Sequence, residues 1–348
     1  MHIKLLTSNH GASTFYRMRW PAQALGTSRH CRVTFETDIA EIERISSGAA
    51  PVSGVPDVVV IQRPLWRRVT DQVTNLQGRG IAVVVELDDD FLSLPADHPA
   101  RASFDADTNP SQVVRACNHA DLVTAPTQAL LERYASHGRM ALLPNYLPEA
   151  AIARPALRLP TRARRVGWPG VSADHPGDLE VTGGAISQVL RTQAADFLVV
   201  GPEENVADRL AVKSAITSTG LLSLSGYFAA IRQLEVGIVP LGQSQFNDAK
   251  SALKGLELAA AGVVFVASPT VEYESLASEG VGMIARTPAE WATKVTTLLT
   301  TPRLRRTHAR RARRIVLDRH DLSRNAWRWK RAWEKARVNA NARLSAGT

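Results

Sequence analysis

Short apolar runs recur along the chain, and stretches with a helical period separate them. Ile3–Thr7 reads as a strand. A polar, glycine-containing loop over Ser8–Thr14 and a helix through Tyr16–Leu25 follow it. Asp57–Gln62 (DVVVIQ) and Ile81–Leu87 (IAVVVEL) are two further strands, with a helix over Val69–Gly78 between them. A helix over Ser111–His119, a strand over Asp121–Ala125, a helix from Pro126–Thr127 to Tyr134 and a strand over Met140–Leu143 complete the first half. It closes at Pro144–Asn145. Apolar strands alternating with helices predict a parallel sheet with helices on both faces.

Leu147–Arg164 is rich in Pro, Ala and Arg, lacks a period, and reads as a linker. The rhythm then restarts. Strands are expected at Arg165–Trp168, Asp196–Gly201, Leu221–Leu224, Val236–Pro240, Val263–Ala267 and Met283–Ala285. Pro176–Val189 is loop then helix, Tyr227–Gln233 and Pro288–Leu299 are helices, and Arg-rich helical segments end the chain. The predicted fold is α/β: two Rossmann-like, doubly wound parallel-sheet domains over 1–155 and 156–318, with a helical tail over 319–348. Two such domains facing each other leave a cleft at the C-terminal edges of their sheets, where ligands bind.

With 348 residues, 45% of them hydrophobic, the chain can bury two ordinary cores. No apolar run reaches the roughly 20 residues that span a bilayer, and MHIKLLTS lacks the long apolar region of a signal peptide. Cys31 and Cys117 are far apart and make neither a metal-type pair nor a disulfide framework. The expected location is the cytoplasm. The net charge of +9 gathers near the C-terminus, in RLRRTHARRARR (Arg303–Arg314) and RWKRAWEKAR (Arg328–Arg337). Such a balance suits nucleic acid, an anionic membrane surface or anionic small molecules, or is a solvated helical face.

Chemistry concentrates in FNDAKSALKGLELAAAGVVFVAS (Phe246–Ser268). Lys250 and Ser251, followed by Ala252, Leu253 and Lys254, fall where a helix begins. Unpaired N–H groups and the helix dipole favour an anion there. Glu257 lies two turns on, among Leu and Ala, a setting too apolar for an ordinary solvent face. Gly262 ends the helix before a buried strand. Cation, N-terminal nest and carboxylate at this spacing suit a nucleotide diphosphate with its ribose.

Other candidates follow from position. Asp88, Asp89 and Asp90 run off the end of a buried strand, where doubly wound sheets place functional groups. Adjacent carboxylates raise one another's pKa and call for a partner or a purpose. The readings are acceptor or sugar positioning, an Mg²⁺- or Mn²⁺-binding Asp-x-Asp, or a helix N-cap. Gly11, Ser13 and Thr14 form a loop that lets backbone approach a ligand. Tyr16, Arg17 and Arg19 sit on the next helix, with at least one Arg available to phosphate or acceptor. His175 joins Asp88, Asp89 and Asp90 as a catalytic candidate, and it shares a face with Asp178 if a helix starts there. No Ser–His–Asp or Cys–His arrangement has supporting context, and no His/Cys cluster suits zinc.

These segments together resemble the two-Rossmann-domain (GT-B) glycosyltransferases, especially the retaining family 4-like group. GIVPL, FNDAKSALKGLELAAAG and VVFVAS resemble its donor-site signature, and VGWPGVSADHPGDL (Val166–Leu179) its first donor-domain strand and loop. DLVTAPTQAL resembles the last unit of its acceptor domain, and NHGASTFYRMRWPAQAL its first loop. The compact form with its triple Asp also looks like glycosyltransferases carried by bacteriophages. In the group's Glu-x7-Glu signature, Glu257 matches the ribose-binding second Glu. Ala249 stands in place of the first Glu, with Asp248 one residue off. Where relatives carry phosphate-binding Arg and Lys after the first donor-domain strand, this loop offers Ser172, His175 and Asp178, so Lys250 and Lys254 are candidates for the cationic role.

The resemblance implies transfer from a UDP or GDP sugar to an acceptor hydroxyl, with retention, no obligatory metal and no enzyme nucleophile. Domain one would take the acceptor (glycan, lipid, protein or DNA) and domain two the donor. The tail, with Trp327, Trp329 and Trp333 as packing anchors, would cross back onto domain one. Two alternatives stand beside it: a nucleic-acid-binding protein using the Arg-rich tail, and a non-catalytic nucleotide-sugar-binding homologue.

Overall fold

The computed structural model describes residues 1–7, 11–26, 31–49, 54–152, 164–212 and 216–346. Most of the expected linker (153–163) and the start of the first loop (8–10) lie outside the described residues. The chain forms two compact units. The first holds Met1–Leu94, Ala100–Tyr146 and Leu322–Thr348, and the second holds Pro95–Pro99 and Leu147–Asp321.

The first unit is built on six parallel strands: β1 (His2–Thr7), β2 (Arg32–Glu36), β3 (Val58–Gln62), β4 (Ala82–Glu86), β5 (Leu122–Ala125) and β6 (Met140–Leu142), in the order β2-β1-β3-β4-β5-β6. Ile3 pairs with Val58 and Val58 with Ala82. Every residue of β3 and β4 is buried, which explains their uninterrupted apolar sequence. Sequence reading passed over β2 and the helix Ile39–Ser47. β2 is the edge strand, its RVTFE is only half buried, and so it lacks a two-sided apolar run.

The final helix, Trp327–Ala346, belongs to this unit. Trp329 and Trp333 are buried, Trp329 meets Tyr146 edge-on at 5.8 Å, and Asn339 donates to the Asp121 carbonyl at 2.7 Å. Trp327 was expected as a third anchor, but it is 50% exposed because it opens the helix on its solvent side.

The second unit repeats the plan with β7 (Arg164–Pro169), β8 (Ala195–Val200), β9 (Ile216–Ser218), β10 (Val236–Val239), β11 (Val264–Ala267) and β12 (Met283–Ile284), all parallel, in the order β12-β11-β10-β7-β8-β9. Here one strand was misplaced. Leu221–Leu224 is not a strand: Leu221 is 83% exposed and β9 lies before it, at ITS. The helix Val271–Glu279 also went unread. The core joins Val166, Phe197, Val236 and Val264 of the sheet to Ile186, Val189, Trp291 and Leu298 of the helices Ala185–Gln193 and Pro288–Thr300.

Each sheet reverses its strand order once, between β1 and β3 in the first unit and between β7 and β10 in the second. At such a reversal the loops leave to opposite faces and open a crevice at the carboxyl ends.

Candidate functional site

In the second unit the crevice is formed by the loop after β7 and the segment after β10. The latter runs through a short helix, Gln245–Asp248, into the helix Leu253–Ala260. The longer helix starts three residues later than Lys250. Its N-cap is Ala252, which has no side-chain oxygen and makes no side-chain capping bond. A carboxylate or hydroxyl would ordinarily stand there. Its absence leaves the positive end of the dipole to an external anion.

Lys254, in the first turn, is joined to the opposite loop. Its Nζ lies 2.6 Å from His175 Nε2, and His175 Nδ1 lies 2.8 Å from Asp178 Oδ2. Asp178 Oδ1 in turn accepts from the Gly242 N–H at 2.7 Å and the Asn247 amide at 2.6 Å. Burial, reinforced by the charge on Lys254, pushes the His175 imidazole down to about 3, so it is neutral. Burial alone would raise Asp178, but the bonds from His175, Gly242 and Asn247 reverse this and hold it below its usual value. Burial and the neighbouring Lys250 bring the Lys254 ammonium down to about 8.

Glu257, one turn on from Lys254, is buried and accepts from the Tyr227 hydroxyl at 2.6 Å. Lys250 Nζ stands 4.0 Å from the centre of the Phe246 ring, a cation–π contact, and Ser251 is half-buried beside it. Ala249 is buried, and Asp248, the carboxylate one residue out of register, is exposed. The fold thus brings together His175, Lys250, Ser251, Ala252, Leu253, Lys254 and Glu257. It adds Asn247 and Tyr227, which sequence reading missed. The signal for Asn247 was its place between the two half-helices; nothing in the pattern marked Tyr227.

In the first unit the crevice gathers a different set. Ser13, in the loop after β1, bonds the Asp88 carboxylate. Asp88 is paired with Arg63, at 2.5 Å from both Nε and Nη2, and Asp89 meets the same guanidinium at 3.1 Å. Burial would raise Asp88, but Arg63 holds it below its usual value. Arg63 takes a left-handed φ of 50° directly after β3, a strained conformation for an arginine. It was not among the sequence candidates. Gly11 is exposed at the N-cap of the short helix Ala12–Thr14.

Other candidates prove structural. Asp90 is buried, caps the turn Phe91–Ser93 and is bonded by the Tyr134 hydroxyl at 2.8 Å and by Arg133 at 3.1 Å. The three aspartates therefore diverge, and among the described residues no group of three His, Cys, Asp or Glu could hold a metal ion. Thr14 is buried and donates to Gln62 at 3.0 Å. Tyr16 and Arg17 lie on a π-helical turn, Phe15–Arg19, that rotates them inward. Tyr16 stacks edge-on against Trp20 at 4.5 Å. Arg17, 1% exposed, bonds Glu86 at 2.8 Å, the Leu143 carbonyl at 2.6 Å and Asn145 at 3.0 Å. Burial raises the Glu86 carboxyl to about 7 even with Arg17 beside it. The expectation of a ligand-facing Tyr16 and Arg17 is corrected: both belong to the core of the first unit.

The Arg-rich segment forms the helix Pro302–Arg319, and two of its arginines, Arg305 and Arg313, pack inward. Arg305 is buried against Glu235 at 2.7 Å and the Leu298 carbonyl at 2.8 Å. Arg313 bonds the Ala260 carbonyl at 3.0 Å. Arg303, Arg306, Arg310 and Arg314 face solvent. No described helix is long and apolar enough to cross a membrane.

Residues 185–331 match a family model described as glycosyl transferase-like. Solved structures match almost the whole chain. Anabaena HepE in complex with UDP aligns with a TM-score of 0.64 at 13% identity, over 95% of this chain and 99% of that one. Sucrose-phosphate synthase from Thermosynechococcus elongatus gives 0.61 at 15% identity, with 100% of both chains covered. UDP-GlcNAc 2-epimerase from Neisseria meningitidis, bound to UDP-GlcNAc, gives 0.53 at 9% identity, over 91% and 99%. No curated protein matches the sequence. At these identities the likeness is one of fold. The chain thus has a GT-B fold, and its residues 185–331 resemble a glycosyl transferase-like family.

Proposed function

We propose that the protein transfers a glycosyl residue from a nucleotide-diphosphate sugar, with UDP as the nucleotide, to an acceptor hydroxyl. The observation that carries this reading is the convergence of Lys250, Lys254 and Glu257 at an uncapped helix start, in the crevice of the second unit. Breaking the bond to the anomeric carbon leaves one extra negative charge on the departing diphosphate. A preorganised helix N-terminus and two ammonium groups stabilise that charge as it develops. Glu257, steadied by Tyr227, binds the ribose hydroxyls through charge-assisted bonds.

UDP is favoured over GDP because HepE was solved with UDP. The lysines supply the positive charge that a metal would otherwise bring, which supports a reaction without an obligatory metal. The family 4-like signature around Glu257 supports retention. In that course the acceptor attacks the face the diphosphate leaves, and the leaving phosphate takes the acceptor proton. The Arg63-clamped Asp88 and Asp89, with Ser13 and Gly11, are the proposed acceptor-binding groups of the first unit, and Asp89 is the less buried of the two aspartates.

The fold is shared with an epimerase, so the test must identify the product. Purified protein is incubated with UDP- and GDP-sugars, with release of free nucleotide and change at the sugar C2 both followed. Release of UDP from a UDP-sugar is expected. Glu257→Ala is expected to weaken UDP binding by about 10- to 100-fold, the worth of a charge-assisted hydrogen bond. Epimer without UDP release refutes transfer, and UDP binding without turnover indicates a binding protein. Salt-sensitive DNA binding without any nucleotide binding supports the nucleic-acid reading instead.

A further inference from the structure

The relay of Asp178, His175 and Lys254 asks for a role of its own. Asp178 is anchored on one oxygen by a backbone N–H and an amide, which leaves the other to receive the His175 Nδ1 proton. That bond fixes the tautomer: Nε2 is a lone pair, and a carboxylate behind the ring makes it more basic. Facing it at 2.6 Å is the Lys254 ammonium, which donates. The Trp168 ring lies under the same ammonium at 5.7 Å and edge-on to His175 at 5.7 Å, closing the apolar side. A long flexible side chain is thereby held in one conformation at the uncapped start of its own helix.

We propose that Asp178 and His175 are positioning residues that aim Lys254 at the diphosphate of the donor, making Lys254 rather than Lys250 the principal cation of the site. The proposal rests on the nucleotide-sugar reading above. Lys250 is spent in part on the Phe246 ring, whereas Lys254 is held by a group that gives no charge of its own and leaves its other two protons to a ligand. The loop offers imidazole and carboxylate in place of direct cationic ligands, and the cation comes from the helix across the crevice.

The arrangement has a consequence in pH. The groups facing Lys254 are Lys250 before it, Glu257 on its own helix, His175, and Asp174 and Asp178 from the loop after β7. The ammonium loses its proton at about 8 in the free protein, so an anion that needs it binds best below that pH and progressively less above it. UDP itself is fully ionised above about pH 7, so it contributes no slope there.

The test is calorimetric titration of the full-length protein with UDP from pH 6.5 to 9.5. Wild type is expected to bind evenly up to about pH 7.5 and then to weaken by up to tenfold per pH unit. Lys254→Arg, charged throughout, removes the slope, and Lys254→Met loses at least about tenfold at pH 7 and has no slope. His175→Asn keeps a donor for Asp178 but deletes the acceptor for Lys254, and is expected to weaken UDP binding by about tenfold at pH 7. His175→Gln, which sets an amide oxygen near the place of Nε2, recovers most of it. Lys254 is partly exposed, so its variants keep the test independent of any folding defect at buried His175. UDP binding that is unmoved by Lys254→Met, or an alkaline slope that survives in Lys254→Arg, overturns the inference and leaves the nucleotide reading intact. No UDP binding by wild type overturns both.

Discussion

Replacing Arg17 with Met deletes the centre of a buried polar network in the first unit. Arg17 donates to Glu86 at 2.8 Å, to the Leu143 carbonyl at 2.6 Å and to Asn145 at 3.0 Å, and its guanidinium lies 5.5 Å from the centre of the Trp329 ring. Methionine fills most of the volume, so the loss is electrostatic. Breaking a buried pair by removing one member costs about 3–5 kcal/mol, because the remaining charge has no compensation. That figure holds only while Glu86 is ionised. Its carboxyl is already at about 7 with Arg17 present, and burial is the largest cause; without Arg17 it rises further.

The sign follows from proton binding. A group whose folded pKa exceeds its unfolded value of 4.5 binds more protons when folded, so between the two values stability increases as pH falls. In the variant Glu86 is neutral at pH 6, and what remains lost is the bonds to Leu143 and Asn145, about 1–3 kcal/mol. The destabilisation should therefore shrink by roughly 2 kcal/mol from pH 8.5 to pH 6. Urea unfolding at the two pH values measures it, with hydrogen exchange in β3 and β4 peptides assigning the transition to the first unit. A loss that is equal at both pH values within about 0.5 kcal/mol refutes the account of Glu86.

Two further outcomes concern packing. Trp329→Ala and Trp333→Ala should each cost about 3–5 kcal/mol in urea unfolding, whereas Trp327→Ala, on a half-exposed side chain, should stay within about 0.5 kcal/mol. Gly201→Ala should destabilise the second unit by roughly 1–3 kcal/mol in melting experiments. Gly201 takes a φ of +151°, and a Cβ there would stand 1.9 Å from the Gly170 carbonyl oxygen.

The central strands were legible because each is buried on both faces and so writes a continuous apolar run; VVVIQ and AVVVE need no partner to be recognised. The edge of the first sheet was not. Lys4 of β1 and Glu41 of the helix Ile39–Ser47 form a buried pair at 2.6 Å, so a residue that reads as surface lies in the core. The Lys250–Glu257 stretch announced itself through helix punctuation, a local signal. His175 was legible as a candidate beside Asp178, but its other partner, Lys254, lies 79 positions away, where no local pattern reports it. Arg17 was misread for the opposite reason. Its helix begins with a π turn, which shifts the inward face, and no sequence period reports such a turn.

The buried cluster of the first unit and the crevice of the second both break local rules, but in different ways. The Arg17–Glu86 cluster places charge in a core and pairs Nε and Nη1 of Arg17 with protein groups. It holds the end of β4 to Leu143 and Asn145. The second-unit site leaves its irregularities toward the crevice: a helix start without a cap, an ammonium drawn down to about 8, and a second lysine nearby with the same charge. Two ammonium groups and a positive dipole end repel one another, and a short Ser or Asp at position 252 would relieve that locally. Ala252 forgoes the relief. An arrangement that destabilises the empty protein and is corrected by one added anion is what a site for a charged leaving group requires, since the same field acts most strongly when the diphosphate carries its full charge.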